Sequence, residues 1–274
     1  MTMATKPTAF ITGGGSGIGR ALATALSKRG AIVCVADIDL AAAEKVARDC
    51  GPNASSILLD VCDAAAVKRS VEDFAAAHGR LDQVFNNAGI GTAGEVDEIP
   101  LSAWRGIVEI NVYGVLHGVL AAYPIMLKQG FGQIVNIASL AGLGPAPLFA
   151  PYALTKHAVV GLSTSLRIEA ASRGIKVSVV CPAAVETPLL DSGNPSDAGI
   201  VWAPDARRFL TALAGPPYPV ERCADDILVA LAKNKSVIVL PGRARLAWRL
   251  GRLFPALVER ISLSAVAAER KSRG

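Results

Sequence analysis

Short apolar runs and longer amphipathic ones alternate along this chain, and that alternation restricts it to one class of fold. The runs TAFIT, IVCVAD, SSILLD, LDQVFNN, GQIVNIAS, KVSVVCP and SVIVLP are brief and mostly β-branched, as expected of strands covered on both faces. Between them lie the helical patterns GRALATALSKRG, LAAAEKVARDCG, AAAVKRSVEDFAAAHG, Ser102 to Gln129, Tyr152 to Gly174 and ADDILVALAKN. Several stop at glycine, a common helix terminator. Seven strands alternating with helices predict an α/β protein, a single domain built on a doubly wound parallel sheet of seven strands.

Composition agrees with a packed core. Hydrophobic residues make up 51% of the 274 and charged residues 19%, which excludes a disordered chain. The five cysteines, Cys34, Cys50, Cys62, Cys181 and Cys223, are scattered and form no CxxC pair, so neither a disulfide framework nor a metal site is expected. His78, His117 and His157 have no ligand-type partners at metal-binding spacing. The apolar stretch Ile110 to Leu127 is long enough to span a bilayer. Asn111, His117 and Pro124 interrupt it, and a helix buried in protein is the better reading. No secretory signal is expected ahead of the first strand, and the expected location is cytoplasmic.

The first strand runs into TGGGSGIG, Thr12 to Gly19, which opens the next helix. Bare backbone at a strand-to-helix turn suits a pyrophosphate, which rests on unpaired N–H groups where side chains would hold it away. Gly13 permits the tight turn, Gly17 the approach of the diphosphate, and Gly19 the close packing of helix on strand. Asp37 ends the second strand eighteen residues beyond Gly19, near the spacing at which a carboxylate meets the adenosine ribose. It would repel a 2′-phosphate, and Ser16 in the loop is neutral, so NAD is expected over NADP. Asp37 and Asp39 are also candidate caps of the following helix, Asp39 being the better placed.

Those glycines, the NNAG of Asn86 to Gly89, Asn111, Ser139, and the YxxxK of Tyr152 to Lys156 together resemble the short-chain dehydrogenase/reductase family, whose fold is of the Rossmann type. The resemblance runs from about Thr8 to Leu240. It implies hydride transfer between a nicotinamide and a secondary alcohol or ketone, with Tyr152 as the acid/base. A free tyrosine is too weak an acid for that work at neutral pH. Lys156, one helical turn on, presents the cation that would favour the phenolate. By the same resemblance Ser139 would bond the substrate oxygen, Lys156 would also hold the nicotinamide ribose, and Asn111 would fix a relay water. Cofactor contacts are implied for Gly13, Ser16, Gly17, Ile18 and Gly19, for Asp60 and Val61 near the adenine, and for Asn87, Ala88 and Gly89. Pro182, Val185 and Thr187 would face the nicotinamide, Val185 and Thr187 binding its carboxamide. Ala183 stands where the family usually has glycine.

The resemblance also implies a homodimer or homotetramer built on the two long helices, and a lid over the substrate at about 188–220. Leu189, Leu190, Ile200, Val201, Trp202, Phe209 and Leu210 would make that lid apolar, with Leu143, Leu148 and Phe149 as a second wall. A lipophilic alcohol or ketone fits such walls better than a sugar. An NADPH-dependent carbonyl or 3-oxoacyl reductase is an alternative that Asp37 opposes. A non-catalytic cofactor sensor is another, and the intact Ser139, Tyr152 and Lys156 set opposes it.

Charge separates residues 241–274 from the rest, residues 1–240. The extension holds eight basic residues against Glu259 and Glu269, whereas the body holds 20 basic and 21 acidic. Leu246, Leu250, Leu253 and Leu257 fall on one helical stripe beside Arg245, Arg249 and Arg252, and Pro255 is expected to start a second helical piece. Two readings of this basic amphipathic extension stand: a helix packed on the body or on a partner subunit, and peripheral contact with a membrane surface. Nucleic-acid binding is not expected, since there are no aromatic platforms and no recognition motif.

Overall fold

The computed structural model describes residues 6–192, 194–195, 198–271 and 273. Its strands are β1 (Thr8–Thr12), β2 (Ile32–Asp37), β3 (Ala54–Leu58), β4 (Gln83–Asn86), β5 (Gly132–Ile137), β6 (Ile175–Pro182) and β7 (Val237–Leu240). They form one sheet in the order β3-β2-β1-β4-β5-β6-β7, every pair parallel. The order reverses between β1 and β4, which opens a crevice at the carboxyl ends of those two strands.

The helices are α1 (Gly17–Lys28), α2 (Leu40–Cys50), α3 (Ala64–His78), α4 (Leu101–Val108), α5 (Gly114–Gln129), α6 (Ala150–Ala170), α7 (Ala206–Ala214), α8 (Val220–Ala232), α9 (Gly242–Leu253) and α10 (Pro255–Lys271). Alternation along the strands sorts their side chains into two cores. Ala9, Ile11, Val33 and Val35 pack with α1, α2 and α8 on one face. Phe10, Cys34, Ala36, Val84 and Val177 pack with α3, α5 and α6 on the other. Sequence-expected strands and helices all appear. The long helix begins at Leu101, and a π-helical turn, Glu109–Tyr113, joins α4 to α5. That turn carries Asn111. The run Leu101–Gln129 is long and apolar enough to cross a membrane, but Gly114, Val115, Gly118, Val119, Ala122 and Met126 are buried against the protein.

The second core contains a chain of buried polar groups. Asn86 Nδ2 donates to Asn136 Oδ1 (2.8 Å), Asn136 Nδ2 to Ser163 Oγ (2.9 Å), and the Ser163 hydroxyl to the Val159 carbonyl (2.6 Å). It ties β4 through β5 to α6, and so fixes the height of α6 over the sheet. Asn86 Oδ1 has no hydrogen-bond partner among the described residues and lies where a β-carbon on Gly118 would stand. The missing side chain at 118 is what lets α5 settle on this amide.

Gly118→Ala is therefore expected to lower stability by roughly 1–3 kcal/mol through overpacking. Gly161→Ala on α6, where a β-carbon meets no atom within 4 Å, should be neutral or raise stability by up to about 1 kcal/mol. Thermal unfolding of both variants checks the pair; equal melting temperatures would contradict the packing described.

Candidate active site

Most residues that line the cleft from the sheet sit at or just beyond the carboxyl end of a strand, so strand order sets the layout of that wall. Following the sheet, Asp60 comes after β3, Asp37 at the end of β2, the glycine turn after β1, Asn87 to Gly89 after β4, Ser139 after β5, and Pro182 at the end of β6. They line one cleft of about 1110 Å³. Gly13, Ser16, Gly17, Ile18, Asp37, Asp60, Val61, Asn87, Ala88, Gly89, Ser139, Tyr152, Lys156, Pro182, Val185 and Thr187 all face it. Gly19 and Asn111, also expected at the site, stand behind the wall.

The glycine turn is held by contacts that leave no room for side chains. Gly13 (φ +62°) would place a β-carbon 2.7 Å from Ala88 Cα, and one on Gly19 would strike the Gly13 carbonyl oxygen. Asn87 Nδ2 donates to the carbonyls of Thr12 (3.0 Å) and Gly13 (2.9 Å), while the Thr12 hydroxyl oxygen accepts from the amides of Asn87 and Ala88. Ser16, at the start of α1, makes no capping hydrogen bond, so the first amides of that helix have no side-chain acceptor there. Bare backbone, an uncapped helix end and a cleft that continues to Asp37 fit the diphosphate and ribose of a dinucleotide.

Asp37 and Asp39 divide the two roles open to them. Asp39 caps α2 by accepting from the Ala42 amide. Asp37 instead accepts from Gly15 N (2.8 Å) and Asp39 N (3.0 Å) and faces the cleft. The only cations among the cleft-lining residues are Lys156 and Arg252, neither of them on the loops around Asp37. Val61 packs on Gly114, and its carbonyl bonds His117 Nδ1 at 2.8 Å, which gives that histidine a structural role.

At the centre, α6 presents Tyr152 and Lys156 one turn apart. Lys156 Nζ lies 5.4 Å from the centre of the Tyr152 ring and donates to the Ile137 carbonyl at 3.1 Å. Burial pushes the Tyr152 phenol up to about 12, with a hydrogen bond to Ser139 pulling the other way. The same burial brings the Lys156 ammonium down to about 8. Cys181, in the strand beneath, is pushed up to about 12 by burial and stays a thiol. Asn111 accepts from Ile90 N (2.9 Å) and donates to Ile90 O (3.0 Å) and Thr155 Oγ1 (3.2 Å). Thr155 in turn donates to the Tyr152 carbonyl at 2.8 Å. The Asn111 amide thus braces the turn that carries the tyrosine.

The apolar end of the cleft departs in part from expectation. Leu189, Leu190, Phe209, Leu210, Leu143 and Phe149 line it. Ile200, Val201 and Trp202 do not: the backbone of Trp202 and the side chain of Ile200 crowd Gly94, and Val201 faces solvent. Leu148 is buried with φ +64°, its carbonyl accepting from Gly94 N, and is also absent from the wall. The lid carries a helix, α7, that its Pro- and Gly-rich sequence did not suggest. Sequence reasoning also missed the wall supplied by α9 and α10. Their amphipathic stripe was visible, but the surface it covers is a long-range property.

Residues 7–198 match a family model described as short chain dehydrogenase. A 2,5-dichloro-2,5-cyclohexadiene-1,4-diol dehydrogenase of Sphingobium indicum is 40% identical over 195 residues, 70% of this chain and 78% of that protein. A cyclohexanol dehydrogenase of an Acinetobacter species is 36% identical over 186 residues, 66% of this chain and 74% of its own length. Among solved structures, a short chain dehydrogenase/reductase from Burkholderia phymatum in complex with NAD superposes with a TM-score of 0.82 at 30% identity, covering 93% of this chain and 96% of that one.

Burial outweighs the Ser139 bond at Tyr152, so in the cofactor-free protein the phenol should remain protonated through neutral pH. The phenolate absorbance difference between the native protein and Tyr152→Phe should stay flat until strongly alkaline pH and rise toward about 12. A difference signal near pH 7 would contradict this.

Proposed function

This chain belongs to the short-chain dehydrogenase family and is a nicotinamide-dependent oxidoreductase, and on that premise we propose that it uses NAD to interconvert a lipophilic secondary alcohol and its ketone. The observation that carries the cofactor choice is the Asp37 carboxylate. It faces the cleft at the end of β2 with no cation from the lining residues beside it, an arrangement that suits ribose hydroxyls and opposes a phosphate dianion. The apolar lining beyond Ser139 supports a lipophilic substrate.

A bound nicotinamide supplies the hydride acceptor in the oxidising direction and the donor in the reverse. Tyr152 accepts the alcohol proton as the carbinol carbon loses hydride, and returns it when the ketone is reduced. Ser139, bonded to the phenol, directs the substrate oxygen to the same point. Lys156 supplies the positive charge that favours phenolate over phenol. Asn111 acts through Thr155 and the Tyr152 backbone, a positioning role beside the water-holding one that the family resemblance implies.

We read residues 1–240 as the catalytic unit, and a homodimer or homotetramer as its working state. Leu101, Leu120, Leu154 and Ile168 on α4, α5 and α6 leave large apolar side chains in solvent, which supports association through those helices. A cytoplasmic location is consistent with the family.

Tyr152→Phe is expected to bind NAD with nearly native affinity and to lose roughly 10²- to 10⁴-fold in kcat, measured by NADH absorbance with cyclohexanol and longer alcohols. Near-native turnover would sink the mechanism. Asp37→Ala should narrow the ratio of kcat/KM for NAD over NADP. If the native protein already favours NADP, the cofactor assignment is wrong.

A further inference from the structure

The C-terminal helices, for which the family resemblance implied no role, close the far end of the cleft. Trp248 and Leu250 from α9, and Leu257, Val258 and Ile261 from α10, line it together with Phe254 at the corner between the two helices. Gly251 lets the hairpin close, since a β-carbon there would already press on Val258.

Ties at both ends hold the hairpin in place. At its start Arg243 bonds the Pro216 carbonyl and Arg245 the Val239 carbonyl. At its end Arg208 on α7 pairs with Glu269 (2.6 Å), whose residue is only 6% exposed. Arg270 makes a bidentate pair with Glu95 (2.6 and 2.8 Å), and Arg273 pairs with Glu98 (2.6 Å) while stacking over Trp202. Bidentate geometry, three pairs in one cluster and a buried glutamate set these apart from the isolated surface pairs that contribute little. The middle of the hairpin crosses the cleft. There Leu250, Phe254, Leu257 and Ile261 remain about half exposed, the condition of apolar side chains that face an open cavity rather than a finished core.

We infer that α9 and α10 form a distal apolar subsite that takes the body of a long alkyl alcohol or ketone whose reacting carbon lies at Tyr152. This rests on the oxidoreductase reading and narrows it. Arg252 and Glu259 are the only charged residues the hairpin gives to the wall, and an alkyl body rather than a polyanion suits the remainder.

The test is a series of secondary alkanols, hydroxyl on the second carbon, from butanol to dodecanol length, assayed with NAD. Native kcat/KM should climb about fourfold per methylene over the lengths that reach the hairpin, mainly through KM. In Leu257→Ser/Ile261→Ser the climb should flatten, so that the ratio of decanol-length to butanol-length kcat/KM falls at least tenfold. Arg270→Ala, which touches only the latch, should reduce the same ratio in the same direction. Equilibrium binding of a long methyl ketone, read by fluorescence lost in Trp248→Phe, gives a second readout that needs no turnover. A native series flat with length and no Trp248 response would overturn the subsite while leaving the oxidoreductase reading intact. Ketone binding at Trp248 without turnover of any alcohol would sustain the subsite and overturn that reading.

Discussion

Everything in the site depends on how closely three pieces of backbone meet where the strand order reverses. The start of α1 lies against the turn at Gly13, that turn lies against Ala88 at the end of β4, and the Asn87 amide joins them by bonding two consecutive carbonyls. None of these approaches survives a side chain on Gly13 or Gly19. Because they are made, the amide end of α1, the Asp37 carboxylate and the loop after β4 open onto one cleft. Tyr152 and Lys156 on α6 then need only the correct height above the sheet, which the chain from Asn86 through Asn136 to Ser163 provides.

The central pair shows how burial and charge oppose one another. Desolvation holds the Tyr152 proton on and weakens the hold of Lys156 on its own, so both groups lean toward neutrality. The mechanism proposed above needs phenolate beside ammonium. A buried phenol in a low-dielectric site moves toward its charged form only when a further polar contact favours it.

The fold was legible because its signals are local and repeated. Strands covered on both faces read as unbroken apolar runs, helices as periodic ones, and glycines such as Gly79 and Gly130 closed helices in the left-handed conformation. The sheet side of the candidate site was legible for a related reason, since in this topology a residue just past a strand reaches the cleft whatever the rest of the chain does, whereas Tyr152 and Lys156 on α6 were legible from their one-turn spacing. Ile200, Val201, Trp202 and Leu148 were misplaced because lid residues have no such register, and apolar character alone does not say which surface a loop covers. The π-helical turn at Asn111 depends on what α4 and α5 pack against. The extension was foreseen as amphipathic and broken at Pro255, but its seat is set by Glu95, Glu98 and Arg208, far away in sequence.

Asp37 does two things at once. The carboxylate that faces the cleft also accepts from the amides of Gly15 and Asp39, and so is part of the scaffolding of the glycine turn. If NAD is the cofactor as proposed, a change to the phosphorylated one requires new acceptors for two backbone donors as well as removal of a charge. On the proposed reading, cofactor preference is thus coupled to loop order, because a substitution at position 37 removes the acceptor of two backbone amides together with the charge.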